Sequence, residues 1–151
     1  MNQPCPFCSL SIQEQIFWGL DKVMAVYNIS PILPGHSMII PRRHVVTINE
    51  LDNEEMTKFF TFARQVTQLL MRAFEADGFD WSLQESEAAG QSFAHLHLHI
   101  IPRKTGDLKR PGDWYALLQQ NRHVMIDNPD RKLLAPNEIS NIIEFIKSHK
   151  H

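Results

Sequence analysis

Apolar and polar residues alternate without interruption from Ala94 to Ile100. Strict alternation is the period of a β-strand, in which side chains i and i+2 share a face roughly 6.5–7 Å apart. The pattern predicts a strand with His95, His97 and His99 on one face, while the residues between them point into a core. Pro102 is expected to end this strand, because proline lacks the N–H that a central ladder needs.

Other segments show the short apolar runs that are typical of β-strands. The runs Ile16–Trp18 and Val23–Tyr27 are separated by a short polar turn, and this spacing predicts a β-hairpin. His36–Pro41 and Trp81–Gln84 predict two further strands. The second of these leads through a loop to the histidine strand.

A helical period lies between these two later strands. Apolar residues recur at i, i+3, i+4 and i+7 from Met56 to Phe74, and Asp52 or Asn53 is a suitable N-cap. Gly78 stands where a helix stop is expected. A second amphipathic helix is predicted over Pro136–Ser148.

This order of elements predicts an α+β fold, a meandering antiparallel sheet with one long helix and a C-terminal helix. The length of 151 residues suits a single domain. Residues 1–107 are expected to form its core. Residues 108–151 are expected to form a C-terminal extension of the same domain, with a helical turn over residues 114–120.

Composition narrows the classes of function. The chain is 43% apolar and 21% charged with a formal net charge of −2, which is ordinary for a soluble globular protein. No broad basic field is present, so we expect no binding to a nucleic-acid polymer by counterion release. No apolar run approaches a membrane span and no apolar leader follows Met1, so we expect no membrane association and a cytoplasmic location.

Three histidines on one strand face admit three interpretations. They can form a solvated polar face, they can bind a metal such as zinc, or a neutral imidazole can act as a nucleophile. One ion held by all three is disfavoured, because positions i to i+4 of a strand span roughly 13 Å and zinc bonds are only about 2 Å long. The adjacent Gly90-Gln91-Ser92 can surround an anion with backbone N–H groups, which favours phosphate chemistry.

The run His-Leu-His-Leu-His-Ile-Ile, preceded by Ala-Gly-Gln-Ser and followed by Pro-Arg, resembles the signature of the histidine triad (HIT) family of nucleotide hydrolases and transferases. The resemblance extends from about Cys5 to Asp107 and implies a HIT-like sheet and a homodimer. Gln84, Glu87 and the run Pro102–Asp107 are similar to the fragile-histidine-triad-like branch, which acts on dinucleoside polyphosphates.

The resemblance implies a reaction at the central histidine. His97 would attack the α-phosphorus of a nucleotide conjugate, and water would hydrolyse the resulting nucleotidyl-histidine to a nucleoside monophosphate. An imidazole with an ordinary pKa of about 6.5 is largely neutral at pH 7 and suited to this attack. His99 would donate to the phosphate, and Gln84 would lie near the leaving group. The residues implied to bind the nucleotide are Asn28, Gln84, Gly90, Gln91, Ser92, Phe93 and His99.

One of these assignments depends on the resemblance almost entirely. Family members carry Asn or Asp at the position of Asn28, where the side chain binds the ribose hydroxyls. Judged from the sequence alone, an amide at the end of a strand is more often a turn residue.

The sequence contains two cysteines, which are three positions apart. Cys5-Pro6-Phe7-Cys8 can be a redox pair, a disulfide or half of a metal site, and the surplus of histidines favours metal. Zinc-bearing bacterial members of the family combine two such cysteines with a Pro-x-x-His histidine and the first triad histidine. The resemblance therefore implies one structural zinc ion per chain, bound by Cys5, Cys8, His44 and His95.

Two other functions remain open. A nucleotide-binding interaction module with vestigial phosphoramidase activity would keep the same motif, and its turnover number would lie far below that of ordinary enzymes. A phosphorylase would form the same intermediate but pass the nucleotide to phosphate instead of water. In each case the expected partner is a small-molecule nucleotide.

Overall fold

The computed structural model describes residues 4–91, 93–119 and 132–151. Within these ranges the chain forms five β-strands and three α-helices. The strands are β1 (Ile16–Gly19), β2 (Val23–Tyr27), β3 (Ser37–Pro41), β4 (Gly78–Leu83) and β5 (Leu98–Arg103). The helices are α1 (Asn53–Ala73), α2 (Asp113–Gln119) and α3 (Pro136–Ser148), and short 3-10 turns cover Leu10–Gln15, Ile48–Glu50 and Glu87–Ala89.

The strands form one antiparallel sheet in the order β1-β2-β3-β5-β4. β2 and β3 pair from Val23↔Pro41 to Tyr27↔Ser37. The chain then passes through α1 to the far edge, and β5 returns between β3 and β4. This arrangement confirms the predicted α+β fold. It also places the histidine strand inside the sheet and leaves β4 at an edge.

Alternation along the strands separates two apolar clusters, one on each face of the sheet. Val23, Ala25 and Tyr27 pack with α1 and α3 in the larger cluster, whereas Met24 and Val26 belong to the smaller one. β2 and β3 are therefore buried on both faces. The members of the smaller cluster, which lies on the face of the triad histidines, are Phe7, Ile12, Met24, Val26, Met38 and Ile40.

α1 begins at a capping box. The N–H of Glu55 donates to Asp52 Oδ1 at 2.8 Å, and the N–H of Asp52 donates to Glu55 Oε2 at 3.0 Å, so Asp52 is the N-cap. The helix ends at Ala73, earlier than Gly78, because Glu75 itself adopts the left-handed conformation with φ 50°. Gly78 begins β4, and the prediction that it stops the helix is wrong.

The histidine strand starts later than the alternation predicts. Regular pairing begins at Leu98, so His95 and His97 precede β5. The chain remains attached to the fold there, because the N–H of Leu96 donates to Val45 O at 2.7 Å. The prediction of a regular strand through all three histidines is therefore wrong for the first two.

The strand also continues past Pro102 to Arg103, contrary to the prediction. β3 pairs with β5 only as far as Ser37↔Ile100. Beyond this pair, Pro102 has a ladder partner on one side only, which is Phe79 of β4. Its missing N–H therefore interrupts no central ladder.

Arg103 fixes the segment that follows β5. Its guanidinium donates to both carboxylate oxygens of Asp107, at 2.9 and 2.8 Å, and to Asp80 Oδ2 of β4 at 2.7 Å. A further bond reaches Pro111 O at 2.7 Å, close to the start of α2. The hydrogen bond from Arg103 holds the pKa of Asp107 below its ordinary value. The polar run after Pro102 therefore stabilises the turn between the sheet and α2.

The two helices after residue 107 match the predicted pattern in part. α3 buries Ile139, Ile143 and Ile146 in the larger cluster, as its amphipathic spacing predicts. The predicted turn over residues 114–120 is α2, although Gln120 lies outside the described residues. None of the helices in the described ranges has both the length and the apolar character that crossing a bilayer requires.

Candidate active site and metal centre

His97 is buried and held as one tautomer. The residue is 3% exposed, and its Nδ1–H donates to the main-chain oxygen of His95 at 2.8 Å. Burial lowers the pKa of His97 below its ordinary value and outweighs the opposing effect of this hydrogen bond. The ring is therefore neutral at pH 7 with its lone pair on Nε2, the nitrogen available for nucleophilic attack.

The proton position on His99 follows from its contact with His36. The N–H of Ile32 donates to His36 Nδ1 at 3.1 Å, so the proton of His36 lies on Nε2. This Nε2 is 2.9 Å from His99 Nδ1 and donates to it. His99 therefore carries its own proton on Nε2, where it can donate to an anion. The ring centres of His97 and His99 are 4.9 Å apart, so a nucleophile and a donor are neighbours.

Asn28 lies beside these histidines. It is 8% exposed, and its Oδ1 accepts a hydrogen bond from the N–H of Ser30 at 2.8 Å, which closes a turn. Its Nδ2 lies 3.4 Å from His36 Nε2 and 4.0 Å from Met38 Sδ. The structure thus brings Asn28 to the triad, while its side-chain oxygen already has the turn role that the sequence alone favours.

Gln84 follows β4 at the level of the nucleophile. Leu83 pairs with Leu98, so Gln84 and His97 are the next residues of the two chain segments beyond that pair. Gln84 Nε2 is buried and has no hydrogen-bond partner among the residues that the structure describes. Because buried side-chain amides in folded proteins are usually paired, this donor is suited to a bound ligand.

Gln91 stabilises the loop that precedes the triad through hydrogen bonds. Its Oε1 accepts from the N–H of Ser86 at 2.9 Å, and its own N–H donates to Ser86 O at 3.0 Å. Its Nε2 donates to Val46 O at 3.4 Å. The side chain of Gln91, which the resemblance implies to bind the nucleotide, therefore forms its hydrogen bonds within the protein in this structure.

Three further residues that were predicted to bind the nucleotide lie close to Gln91 in the sequence. Gly90 is buried at φ 95°, a left-handed conformation that favours glycine. Phe93 is half-buried, and its ring centre lies 5.7 Å from that of Phe7. Ser92 lies outside the described residues.

Ser86 has an unfavourable backbone conformation, with φ 68° and ψ 163°, a region populated almost only by glycine. Ser86→Gly is expected to raise the free energy of unfolding by up to about 1 kcal/mol, because relief of strain exceeds the added entropy of the unfolded chain. Thermal unfolding measures the change. Ala88→Gly is the control, because Ala88 has no positive φ, and it should lower the midpoint. An equal rise in both variants would contradict strain at Ser86.

Four potential metal ligands converge next to the triad. Cys5, Cys8, His44 and His95 place their ligand atoms within 4.8 Å of one another. His95 Nδ1 lies 3.2 Å from Cys5 Sγ and 3.4 Å from Cys8 Sγ, and His44 Nδ1 lies 3.3 Å from Cys8 Sγ. Two sulphur and two nitrogen donors at these spacings suit a tetrahedral ion bound about 2.0–2.3 Å from each.

The second nitrogen of His95 supports this assignment. His95 is fully buried, and its Nε2–H donates to Pro41 O at 2.9 Å. Nδ1, which faces the two sulphurs, is therefore unprotonated. Metal-binding histidines commonly donate their other N–H to a main-chain carbonyl in this way. Burial also lowers the pKa of His95, which keeps the ring neutral and able to bind a metal.

The three histidines are therefore divided between two tasks. The ring of His95 faces the thiols, whereas the ring of His99 is hydrogen-bonded to His36. One ion held by all three triad rings does not fit these contacts. The arrangement instead supports group transfer to Nε2 of His97, with the N–H of His99 stabilising the negative charge that develops.

Sequence reasoning missed two residues that shape this site. His36 sets the tautomer of His99, and the available signal was its position two residues before Met38, whose strand partner is His99. Glu85 accepts a hydrogen bond from the N–H of Ile48 and so connects the loop after β4 to the segment before α1. No feature of the sequence marks Glu85 for this contact.

Comparison with known proteins identifies the family of this chain. Residues 9–106 match the HIT domain family model. The chain is 36% identical over 115 residues to the asymmetrical bis(5'-nucleosyl)-tetraphosphatase of Schizosaccharomyces pombe, across 76% of this chain and 63% of that protein. It is 33% identical over 110 residues to the bis(5'-adenosyl)-triphosphatase of Dictyostelium discoideum, across 73% of this chain and 74% of that protein.

A solved structure extends the comparison to the fold. The chain superposes on a zinc-bound histidine triad family protein from Mycobacterium smegmatis with a TM-score of 0.71 at 18% identity, covering 97% of this chain and 92% of that one. The family match spans more than half of the chain and includes the triad, so the chain belongs to the HIT domain family. It spans less than two thirds of the Schizosaccharomyces pombe relative.

Proposed function

We propose that this protein is a nucleotide hydrolase that cleaves dinucleoside polyphosphates, or related AMP conjugates, at the α-phosphate. The observation that carries the proposal is the hydrogen bonding of the two neighbouring histidines, from which their proton positions follow. His97 presents an unprotonated Nε2, and the neighbouring His99 presents an Nε2–H. The names of the two relatives, a tetraphosphatase and a triphosphatase of dinucleosides, support this substrate class.

The reaction proceeds in two displacements at phosphorus. Nε2 of His97 forms a bond to the α-phosphorus while the bond to the leaving oxygen breaks. The ring becomes cationic, and its hydrogen bond to His95 O strengthens and stabilises the charge. His99 donates to a phosphate oxygen throughout. Water then attacks the phosphorus and releases a proton to solvent, the P–N bond breaks, and the nucleoside monophosphate leaves with His97 neutral again.

The remaining site residues bind the nucleotide in this proposal. The Nε2–H of Gln84, which has no partner among the described residues, donates to the leaving group, and Asn28 approaches the ribose through Nδ2. Gly90 allows the backbone to approach the phosphate, and Gln91 holds the loop in place. We assign nucleotide binding to Asn28, Gln84, Gly90, Gln91, Ser92, Phe93 and His99.

We infer that the metal centre binds one structural zinc ion per chain. Two thiolates and two imidazoles complete a tetrahedral shell and leave no open position for substrate, so zinc supplies stability and no step of the reaction. Thiolate and imidazole donors favour zinc among common ions. The zinc-bound fold neighbour also supports the identity of the metal.

We also propose a homodimer formed through the β4 edge of the sheet that the structure describes. β4 is an edge strand, and Phe79 on it is 47% exposed. A groove beside it lies between β4 and α1 and is lined by Phe60, Arg64, Met71, Phe79 and Trp81. A second copy that covers this groove would protect an exposed edge from other pairings. Sedimentation measurements report the oligomeric state.

We propose that the protein acts in the cytoplasm, without membrane or nucleic-acid partners. Cys5 and Cys8 form no disulfide with each other, and a reducing compartment keeps such thiols available to bind a metal. We further propose residues 1–107 as the domain core and residues 108–151 as an extension of the same domain. The packing of α3 into the larger apolar cluster supports this assignment.

Mass spectrometry tests the covalent route. The protein is mixed with diadenosine triphosphate and quenched in an acid-free denaturant. An AMP-sized adduct on His97, absent from His97→Gly, supports the proposal. Absence of both adduct and AMP release across several AMP conjugates would favour the binding module. Product analysis with and without phosphate distinguishes hydrolysis from phosphorolysis.

A change at His36 tests the tautomer assignment. His36→Ala is expected to lower kcat by up to about 10²-fold, because His99 can then place its proton on either nitrogen and loses part of its effect as a donor. KM should change less. His36→Gln is the matched control, since its amide N–H can replace the donor to His99 and should recover part of kcat. Equal kcat in His36→Ala and wild type would contradict the role of His36.

A further inference from the structure

Phe7 connects the metal centre with the nucleophile. It stands between Cys5 and Cys8 in the sequence, yet its side chain is buried, with 7% exposure. Its ring centre is 5.3 Å from that of His97 and 5.7 Å from that of His95. The loop that carries two of the four potential metal ligands therefore also places an aromatic ring against the nucleophile.

The loop around Phe7 has few other attachments. The bond from the N–H of Cys8 to Cys5 O and the bond from Ser9 Oγ–H to Pro6 O both lie within the loop itself. Within the described part of the chain, the contacts that join residues 5–8 to the sheet run through the Phe7 ring and the two thiols. Phe7 packs in the smaller apolar cluster, and binding of the two thiols adds a second constraint on its position.

His95 is attached to the fold independently of the thiols. Its Nε2–H donates to Pro41 O at 2.9 Å, and the next residue, Leu96, donates its N–H to Val45 O at 2.7 Å. The main-chain oxygen of His95, which fixes the tautomer of His97, therefore keeps its place without a metal. An effect of metal loss on His97 would therefore have to pass through the ring of Phe7 rather than through the backbone of His95.

We propose that Phe7 is a positioning residue through which a metal bound at Cys5, Cys8, His44 and His95 orders the nucleotide site beside His97. This inference rests on the proposed function and adds a form of regulation to it. When the metal is bound, the ring closes the apolar cluster next to the nucleophile. When the metal is absent, the triad keeps its hydrogen bonds. The Phe7 ring is then no longer held against His97, and the affinity for nucleotide falls.

The test compares the full chain loaded with zinc and the same chain after chelation. Nuclear magnetic resonance of the carbon-bound imidazole protons reports the ring current of Phe7 at His97, and calorimetric titration reports AMP affinity. Phe7→Leu removes the aromatic ring. Ile12→Val is the matched control, because Ile12 belongs to the same buried cluster but lies on the following 3-10 turn.

Zinc removal from the wild type is expected to shift the His97 resonances towards their positions in Phe7→Leu. It should also weaken AMP binding about two- to tenfold, the scale of one aromatic contact. In Phe7→Leu, zinc removal should change AMP affinity little, because the coupling residue is already gone. Ile12→Val should respond as the wild type does.

Equal effects of zinc removal in Phe7→Leu and in the wild type would overturn the proposal, and so would unchanged His97 resonances in the wild type. Failure of the proposed function is distinguishable, since zinc-loaded wild type would then neither bind AMP nor form the His97 adduct. The resonance comparison needs no nucleotide and still decides the coupling.

Cadmium provides a second comparison if circular dichroism shows that the metal-free chain is unfolded. Cadmium forms longer bonds to sulphur than zinc and therefore moves the Cys5–Cys8 loop while the site stays filled. The His97 resonances should then differ between the zinc and cadmium forms in the wild type and differ less in Phe7→Leu. Equal differences in both proteins would overturn the proposal.

Discussion

His97→Asn is expected to lower kcat by at least about 10⁴-fold, the scale seen when a covalent nucleophile is removed. The dissociation constant for AMP should stay within about threefold of the wild-type value, since one contact among several changes. Asparagine cannot form the phosphorus–nitrogen intermediate, but its amide can still donate to His95 O, the partner of His97 in the native site. Steady-state kinetics with diadenosine triphosphate and calorimetric titration with AMP measure the two effects.

The matched control for this variant is His149→Asn. His149 packs against Phe145 at the end of α3 and has no place in the proposed reaction, so the control should keep wild-type kcat. Full activity of His97→Asn would exclude the covalent mechanism. Loss of AMP binding by a folded His97→Asn would mean that His97 acts in binding.

Removing the metal is expected to lower the midpoint of thermal unfolding by about 8–16 °C. A metal present at a thousand times its dissociation constant stabilises the folded state by about 4 kcal/mol. One kcal/mol shifts the midpoint of a chain of this size by roughly 2–4 °C. The chain should stay folded at 25 °C, because the larger apolar cluster packs on the opposite face of the sheet from the metal. Calorimetry with zinc and with a chelator measures the shift.

Cys8→Ser tests whether the effect belongs to the proposed ligands. Cys8 is exposed, so the substitution removes a ligand atom with little loss of packing. This variant should unfold at nearly the same temperature with and without chelator. Ser11→Ala, in the same segment, should keep the response of the wild type. If the midpoint of thermal unfolding of the wild type is the same with and without chelator, no metal stabilises this fold.

The elements of the fold could be predicted because each has a local signal. Alternation identifies the strands, and the helical period with Asp52 as a cap identifies α1. The ends of the elements depend on distant partners. Pro102 remains within β5 only because β3 stops pairing at Ile100, and no local pattern shows where a neighbouring strand stops.

The types of residue in the site could be predicted from the sequence, but the positions of the protons on their side chains could not. The resemblance to zinc-bearing family members selected the four residues of the metal cluster, whose atoms converge as expected. The tautomer of His99 depends on a hydrogen bond from the main chain of Ile32 to His36. Such a contact is a property of a folded loop, and it has no counterpart in the pattern of side chains along the chain.

The position of β5 between β3 and β4 has a consequence for folding kinetics. His36 and His99, which must meet to complete the site, are 63 positions apart in the chain. Closing so long a loop is slow compared with forming a hairpin or a helix. β1 and β2, adjacent in sequence, can pair early, whereas β5, the last of the five described strands, must enter between two others. Enzymatic activity should therefore appear only with the final phase of refolding, and it can serve as a probe of that phase.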